Sequence, residues 1–381
     1  MSGYPGIIND AGAGCADRAA ALREFVKGGG LAAMPDFTGE INNHIHTIYS
    51  FSPYTPSMAA LKSREAGLEA AGSVDHDSWA AAAEMREACA IIGLGCVTGL
   101  ELRVSLKHTE FADRKFNSPD SQGIAYITVQ GVPAGSEEKV GEFLKPVRAA
   151  RRQRNIRMTE NINSVLAAAG LGGLDYERDV IPLSMYHKGG SVTERHLLFA
   201  LSLALIREAG RGEKLLAFLG EKFGIEVGGK NRGYLLDPGN PYCAYDLLGV
   251  LKSSFNDRIF IQPGSDECPP VETVTAFARS INAVPFYAYL GDITESVTGD
   301  KKAEKFEDDY IDRLVPRLKD LGFQGLTYMP PRNTMAQLIR LRRLCEKQDL
   351  LEISGVDINT PRQVFQCPEI RKDEFKFLTD T

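Results

Sequence analysis

Glu40-Ile-Asn-Asn-His44-Ile-His46 sets two imidazoles one residue apart at the end of a β-like run. Side chains on a strand repeat every second position, so both rings point the same way and their Nε2 atoms can converge on one cation. Further along stand Asp75-His76-Asp77 and then Gly99-Leu100-Glu101, each closing an apolar β-like run. Histidines and carboxylates recurring at successive strand ends outline a hydrolytic metal site on one rim of a sheet or barrel.

Around these runs the pattern alternates. A strand at 38–46 is followed by a helix at 57–67, a strand at 70–75, a helix at 79–92 and a strand at 95–104. Gly123–Val132 reads as a further strand, after which 137–255 is almost wholly helical in pattern and carries a basic stretch at Arg148, Arg151, Arg152, Arg154 and Arg157. Alternation resumes with a strand at 258–262, a helix at 269–281, a strand at 284–290, a helix at 303–321, a strand at 325–329, a helix at 334–348 and a strand at 350–356. Short strands separated by helices predict an α/β barrel. The expected domains are an N-terminal accessory helix in 1–37 (the helical pattern itself at 15–27, stopped by Gly28-Gly29-Gly30), a barrel from 38–136 and 256–381, and a helical insertion at 137–255.

Composition sets outer limits. The chain has 381 residues, with 44 basic against 50 acidic side chains and a net charge of −6, which argues against nucleic-acid binding across the whole surface. Seven cysteines without a CxxC pair suit reduced thiols, and neither an export signal nor an apolar run long enough to span a membrane is present, so a cytoplasmic protein without a membrane partner is expected.

Taken in order, His44-x-His46, Val74-Asp75-His76-Asp77, Thr98-Gly99-Leu100-Glu101, the insertion opening Arg151-Arg-Gln-Arg-Asn-Ile-Arg-Met158, Thr193-Glu-Arg-His196 and Gly355-Val-Asp357 resemble the PHP (polymerase and histidinol phosphatase) superfamily. The closer resemblance is to its bacterial branch of metal-dependent phosphoesterases acting on nucleoside phosphates and short oligonucleotides. It implies a distorted (β/α)7 barrel with up to three divalent ions at the strand ends. The first ion would take His44, His46, Glu101 and Asp357. The second would share Glu101 and add His196, with Tyr126 standing where a histidine is expected. The third would use His76, with Phe51 and Asn359 at its other two positions. Tyr289 replaces a further histidine. With three expected ligands replaced, the resemblance implies one or two ions, with the third site impaired; zinc, manganese and iron suit the set equally.

The chemistry implied is hydrolysis of a phosphate ester by metal-activated water, on a small phosphorylated substrate such as a nucleotide. His76 or Asp77 would handle the leaving-group proton, and Arg103, Arg152, Arg154, Arg157 and Arg195 are candidate phosphate contacts. The competing expectation is a degenerate domain that binds metal and a phosphorylated ligand without turnover; an amidohydrolase-like barrel shares the ligand types but normally brings a carbamylated lysine. Lys107-His108 and His187-Lys188 read as surface loops, and Trp79 as packing.

Overall fold

A computed structural model describes residues 4–118, 120–292 and 307–379. Seven strands, β1 (Ile41–Ile45), β2 (Ala70–His76), β3 (Gly95–Ser105), β4 (Ile124–Gln130), β5 (Val284–Tyr289), β6 (Gly325–Tyr328) and β7 (Leu351–Ser354), form one sheet in sequence order. The helices are α1 (Tyr4–Ile8), α2 (Cys15–Lys27), α3 (Pro56–Glu65), α4 (Ala82–Ile92), α5 (Glu137–Ala168), α6 (Glu194–Ala209), α7 (Glu213–Phe223), α8 (Gly229–Leu236), α9 (Cys243–Ile259), α10 (Val271–Ser280), α11 (Ile311–Asp320) and α12 (Met335–Gln348). Among the described residues no helix is long and apolar enough to cross a membrane, and all seven cysteines are free thiols.

The sheet curls until its edges meet. Ile45 bridges Ile358 in parallel, the His46 amide donates to the Ile358 carbonyl at 2.9 Å, and the Ile358 amide donates to that of His44 at 3.1 Å. The Asn42 side chain completes the seam, donating to the Val356 carbonyl at 3.1 Å and accepting from the amides of His44 and Val356. Gly355 is required here. A Cβ on it would lie 2.6 Å from the His44 nitrogen, so only glycine lets the end of β7 come this close to β1.

The expected α/β barrel is therefore present, with two departures. First, β4 runs antiparallel to both β3 and β5, while the other pairs are parallel. Tyr126, near the start of β4, consequently faces Arg103 near the end of β3 and shares the rim where the parallel strands finish. Second, the strand expected at 258–262 does not form. Arg258 and Ile259 end α9, and the residues after them have no regular structure. The helix expected at 303–321 is present as Ile311–Asp320; 307–310 form turns, and 303–306 lie outside the described residues.

The helical insertion begins with the 32-residue α5, but 169–193 is not α-helical. Gly170, Gly172, Gly173 and Pro182 break the pattern, and the chain there makes only short turns at Tyr176–Val180, Ile181–Leu183 and Tyr186–Lys188. α5 ties the layers together. Val140 and Leu144 join the barrel core around β3–β6, whereas Met158, Ile162, Val165 and Leu166 join the core of α6 and α9. Ile8 and Leu22 pack into a third cluster with α3, α4 and Phe365, and a buried Arg18–Glu84 ion pair at 2.6 Å fixes α2 against α4. The N-terminal segment is built into the barrel wall.

Candidate metal centre

β1 ends by delivering His44 and His46 to the barrel mouth, β2 delivers His76, β3 carries Glu101, and the closing turn after β7 carries Asp357. Their ligand atoms fall into two overlapping groups, His44 with His46 and Asp357, and His46 with His76 and Glu101. His46 Nε2 lies 3.3 Å from Asp357 Oδ1 and 3.6 Å from Glu101 Oε2, and His44 Nε2 lies 3.5 Å from Glu101 Oε1. Two ligands each about 2.1 Å from a shared ion at octahedral or tetrahedral angles stand roughly 3.0–3.4 Å apart, so the His46–Asp357 pair has the spacing of a coordination sphere and the two contacts to Glu101 lie slightly beyond it. His76 Nδ1 reaches Glu101 Oε2 at 2.9 Å.

Two nitrogens decide how the site is read. His46 Nε2 and His76 Nδ1 are buried and make no hydrogen bond, although carboxylate oxygens lie beside them. A buried nitrogen without a partner is costly. These two aim at the same carboxylate, an arrangement that a cation satisfies. The tautomer of His46 is set by the groups behind it. Thr47 and Ser50 hydroxyls both donate to Asp75, at 2.6 Å each. With its own proton given to Asp75, Ser50 Oγ must accept from His46 Nδ1 at 3.3 Å. His46 then presents a free lone pair at Nε2, the atom facing Glu101 and Asp357.

The imidazoles and carboxylates of the cluster also shift one another's pKa values. Burial opposes it, but the Asp357 and Glu101 carboxylates hold the His46 pKa above the usual imidazole value. Glu101 and Asp357 are in turn held below the carboxylate range against burial, Glu101 by His76 and His44, Asp357 by His46. Burial lowers the pKa of His76, against the pull of Glu101. Asn359, standing where a ligand was expected, donates to Asp357 Oδ1 at 2.6 Å and orients that carboxylate.

Other expected residues lie elsewhere. His196 belongs to neither converging group. Its Nδ1 accepts the Thr193 amide at 3.0 Å, as the third residue of α6 answering the helix cap. Neutral His196 therefore carries its proton on Nε2, and burial pushes its pKa down to about 3. A protonated Nε2 donates hydrogen bonds and offers no lone pair to a metal. Phe51, at another expected ligand position, packs edge-on against the His196 ring with centroids 5.0 Å apart. Tyr126 sits between His76, at 5.2 Å, and the Arg103 guanidinium, at 5.0 Å.

Asp77 pairs with Arg151, whose Nη1 is 2.8 Å from Asp77 Oδ2. It adopts φ = 47°, a strained conformation for a residue with a Cβ, held by its amide donating to the Glu101 carbonyl at 2.8 Å. The arginines are mostly engaged. Arg103 pairs with Glu194 and Glu267, and so does Arg154, all four largely buried. Arg152 pairs with Glu177, Arg157 is exposed, and Arg195 is partly buried at the start of α6. Internal pairing removes the reason for expecting Arg103 or Arg154 on a phosphate. Tyr289 is buried with its hydroxyl on Asp308. His108 pairs with Glu272 at the surface, and His187 and Lys188 are exposed.

Sequence reasoning missed the Ser50 link between Asp75 and His46 and the Glu194–Glu267 clamp. The spacing of His46 and Ser50 offered a faint signal for the first; Glu267, in an irregular segment, offered none.

No family model matches the chain, and no curated protein matches it. Among solved structures, it is similar over 87% of its length to 94% of a protein from Bifidobacterium adolescentis, with 18% identity and a TM-score of 0.55; that protein's assignment as a metal-dependent phosphoesterase is itself provisional. It is also similar over 86% of its length to 89% of an amidohydrolase from Chromobacterium violaceum, solved with bound sulfate and no metal, at 17% identity and a TM-score of 0.51. At these identities the likeness establishes a shared fold, a distorted seven-stranded α/β barrel.

Proposed function

We propose that this chain is a divalent-metal-dependent hydrolase of phosphate esters, with a metal held by His44, His46, Glu101 and Asp357 and with His76 completing the set through Glu101. The observation that carries this is the pair of unpartnered buried nitrogens, His46 Nε2 and His76 Nδ1, converging on Glu101 beside Asp357. The two similar folds, one a phosphoesterase by provisional assignment and the other an amidohydrolase, support a hydrolase.

A bound divalent ion supplies acidification of water and polarisation of a phosphoryl oxygen. The chain's own residues orient and insulate that chemistry. Asp75 and Ser50 hold the His46 tautomer, Asn359 holds Asp357, and the barrel seam fixes the His44–Asp357 geometry. His76, kept neutral by burial, is available as a ligand at ordinary pH.

Non-catalytic binding of metal and a phosphorylated ligand is the second reading, favoured by Tyr126, Phe51 and Asn359 in place of ligands. Elemental analysis after loading with zinc, manganese or iron(II), with turnover of p-nitrophenyl phosphate and bis-p-nitrophenyl phosphate, separates the two. One to two equivalents of metal and measurable turnover are expected, with metal affinity lowered at least about tenfold by the His44→Ala, Glu101→Ala double variant. Bound metal with no hydrolysis of either ester would leave the binding reading standing; metal content unchanged by the double variant would overturn both.

A further inference from the structure

Asp357 is the ligand of the centre least held by burial. Its side chain is 35% exposed, against 20% or less for His44, His46, His76 and Glu101. The Ile358 bridge fixes the backbone beside it, while the Asn359 side chain orients the carboxylate by donating to Oδ1 at 2.6 Å. Asn359 is held in turn by Gln363. The amides of Asn359 and Thr360 both donate to Gln363 Oε1, at 2.6 and 2.8 Å. The carboxylate therefore rests on a turn, 357–363, that one side chain near its end keeps in shape.

Arg362, immediately before Gln363, ties that turn to the helical insertion. Its Nε and Nη2 donate to the two carboxylate oxygens of Asp246, in the first turn of α9, at 3.1 and 2.9 Å, and Nη2 also reaches Asn240 Oδ1 at 3.2 Å. The receiving side is itself fixed. The Asp246 side chain is buried and accepts from Asn240 Nδ2 at 2.7 Å, and Asn240 is anchored to the Tyr234 carbonyl and the Tyr242 amide. The guanidinium lies over the rings of Tyr234 and Tyr242, 4.0 and 5.3 Å from their centroids. A lone surface ion pair contributes little. Here a two-pronged fork, a buried carboxylate and two aromatic faces fix one guanidinium in place, which specifies position as well as attraction. Asp246, Arg362, Gln363, Asn359 and Asp357 thus form an unbroken series of links from the insertion to the metal centre.

We propose that Arg362 is a positioning residue for the metal: docked on Asp246, it lets the helical insertion hold the Asp357 turn in its ligating shape, so that metal affinity depends on a contact made outside the barrel. The inference rests on the reading of His44, His46, Glu101 and Asp357 as a metal centre, and one arm of its test needs no metal.

The test uses the full chain, titrated with zinc by calorimetry. Arg362→Ala and Asp246→Ala should each weaken the first equivalent about fivefold or more, and the double variant should be no weaker than either alone, as residues of one network behave. Arg362→Lys, which keeps the charge but loses the fork, should recover part of the affinity. Val165→Ala, a truncation on α5 in the insertion core, lowers stability and should leave zinc affinity unchanged. Loaded with cobalt(II), Arg362→Ala should show visible absorption bands displaced from those of the wild type towards those of Asp357→Ala. In metal-free protein, hydrogen exchange at the Asn359 and Thr360 amides should speed up about fivefold or more in Arg362→Ala. Zinc affinity and cobalt bands unchanged in Arg362→Ala, or an equal loss of affinity in Val165→Ala, overturn the positioning role. Additive losses in the double variant overturn the route through Asp246. A wild type that binds neither zinc nor cobalt refutes the metal centre itself, and the exchange measurement then decides alone whether Arg362 fixes the turn.

Discussion

At the scale of single residues, the centre is held by side chains that do not themselves point at the cation. Asn359 is the clearest. Its side chain donates to Asp357 Oδ1 at 2.6 Å, while its own amide is tied to Gln363 at 2.6 Å, so the residue is fixed at both ends. Partners behind a ligand typically account for tenfold to hundredfold in metal affinity. Asn359→Ala should therefore weaken binding of the first metal equivalent by about tenfold or more, read by isothermal titration with zinc, without lowering thermal stability of the metal-free protein by more than about 1 kcal/mol. An unchanged zinc affinity would show that Asp357 needs no such support. His44, His46, Glu101 and Asp357 were readable in the sequence, because strand periodicity and order along the chain place them on one rim. Which His196 ring nitrogen is engaged was not readable. The Thr193 amide donates to Nδ1, and that depends on where α6 starts, a matter of one residue.

At the scale of elements, alternation of apolar runs with helices identified the strands but not their directions. A run of alternating side chains reads the same in either sense, so nothing in its own pattern marks the reversal of β4. Arg258-Ile-Phe-Ile-Gln262 alternates like a strand, yet Ile259 is buried as the last turn of α9 against the insertion core. Burial by tertiary neighbours overrode a local pattern that fits both states. The β6–β7 pair carries its own testable feature. Leu326 pairs with Glu352, and Tyr328 Oη donates to Glu352 Oε2 at 2.9 Å within a buried setting. Burial pushes the Glu352 pKa up to about 7, with Tyr328 and Arg342 opposing. The folded state thus holds this proton more tightly than the unfolded chain, whose value is near 4.5. The contribution is fully present below that unfolded value and is lost as pH rises through about 7. Urea denaturation of metal-free protein between pH 4.5 and 8 should show Glu352→Gln losing less stability with rising pH than wild type, by about 2 kcal/mol across the window. Parallel pH profiles would place the proton elsewhere.

At the scale of the whole molecule, the helical insertion has to be held against the barrel. The two hydrophobic cores form separate clusters; α5 contributes to both, and Phe51, from the turn after β1, joins that of the insertion. Between them lies a buried cluster of alternating charge. Asp77 comes from the end of β2, Arg103 from β3, Arg151 and Arg154 from α5, Glu194 from the start of α6, and Glu267 from the segment before α10. Glu267 is its hub, accepting from Arg103 at 2.8 Å, from Arg151 at 3.1 Å and from Arg154 at 2.6 Å. The three guanidiniums hold its pKa down to about 2 against burial. A buried ion network adds little stability beyond a well-packed apolar substitute, but removing one partner strands the others without compensation, at a cost of about 3–5 kcal/mol. Glu267→Ala should cost that much in urea denaturation, whereas Glu267→Gln, which keeps two polar atoms at the hub, should cost less. Because the network joins β3 to α5 and α6, hydrogen exchange in Glu267→Ala should speed up in α5 and α6 before it does in β1 and β2. Uniform acceleration over the chain would mean that the cluster stabilises the barrel itself, not its seam with the insertion.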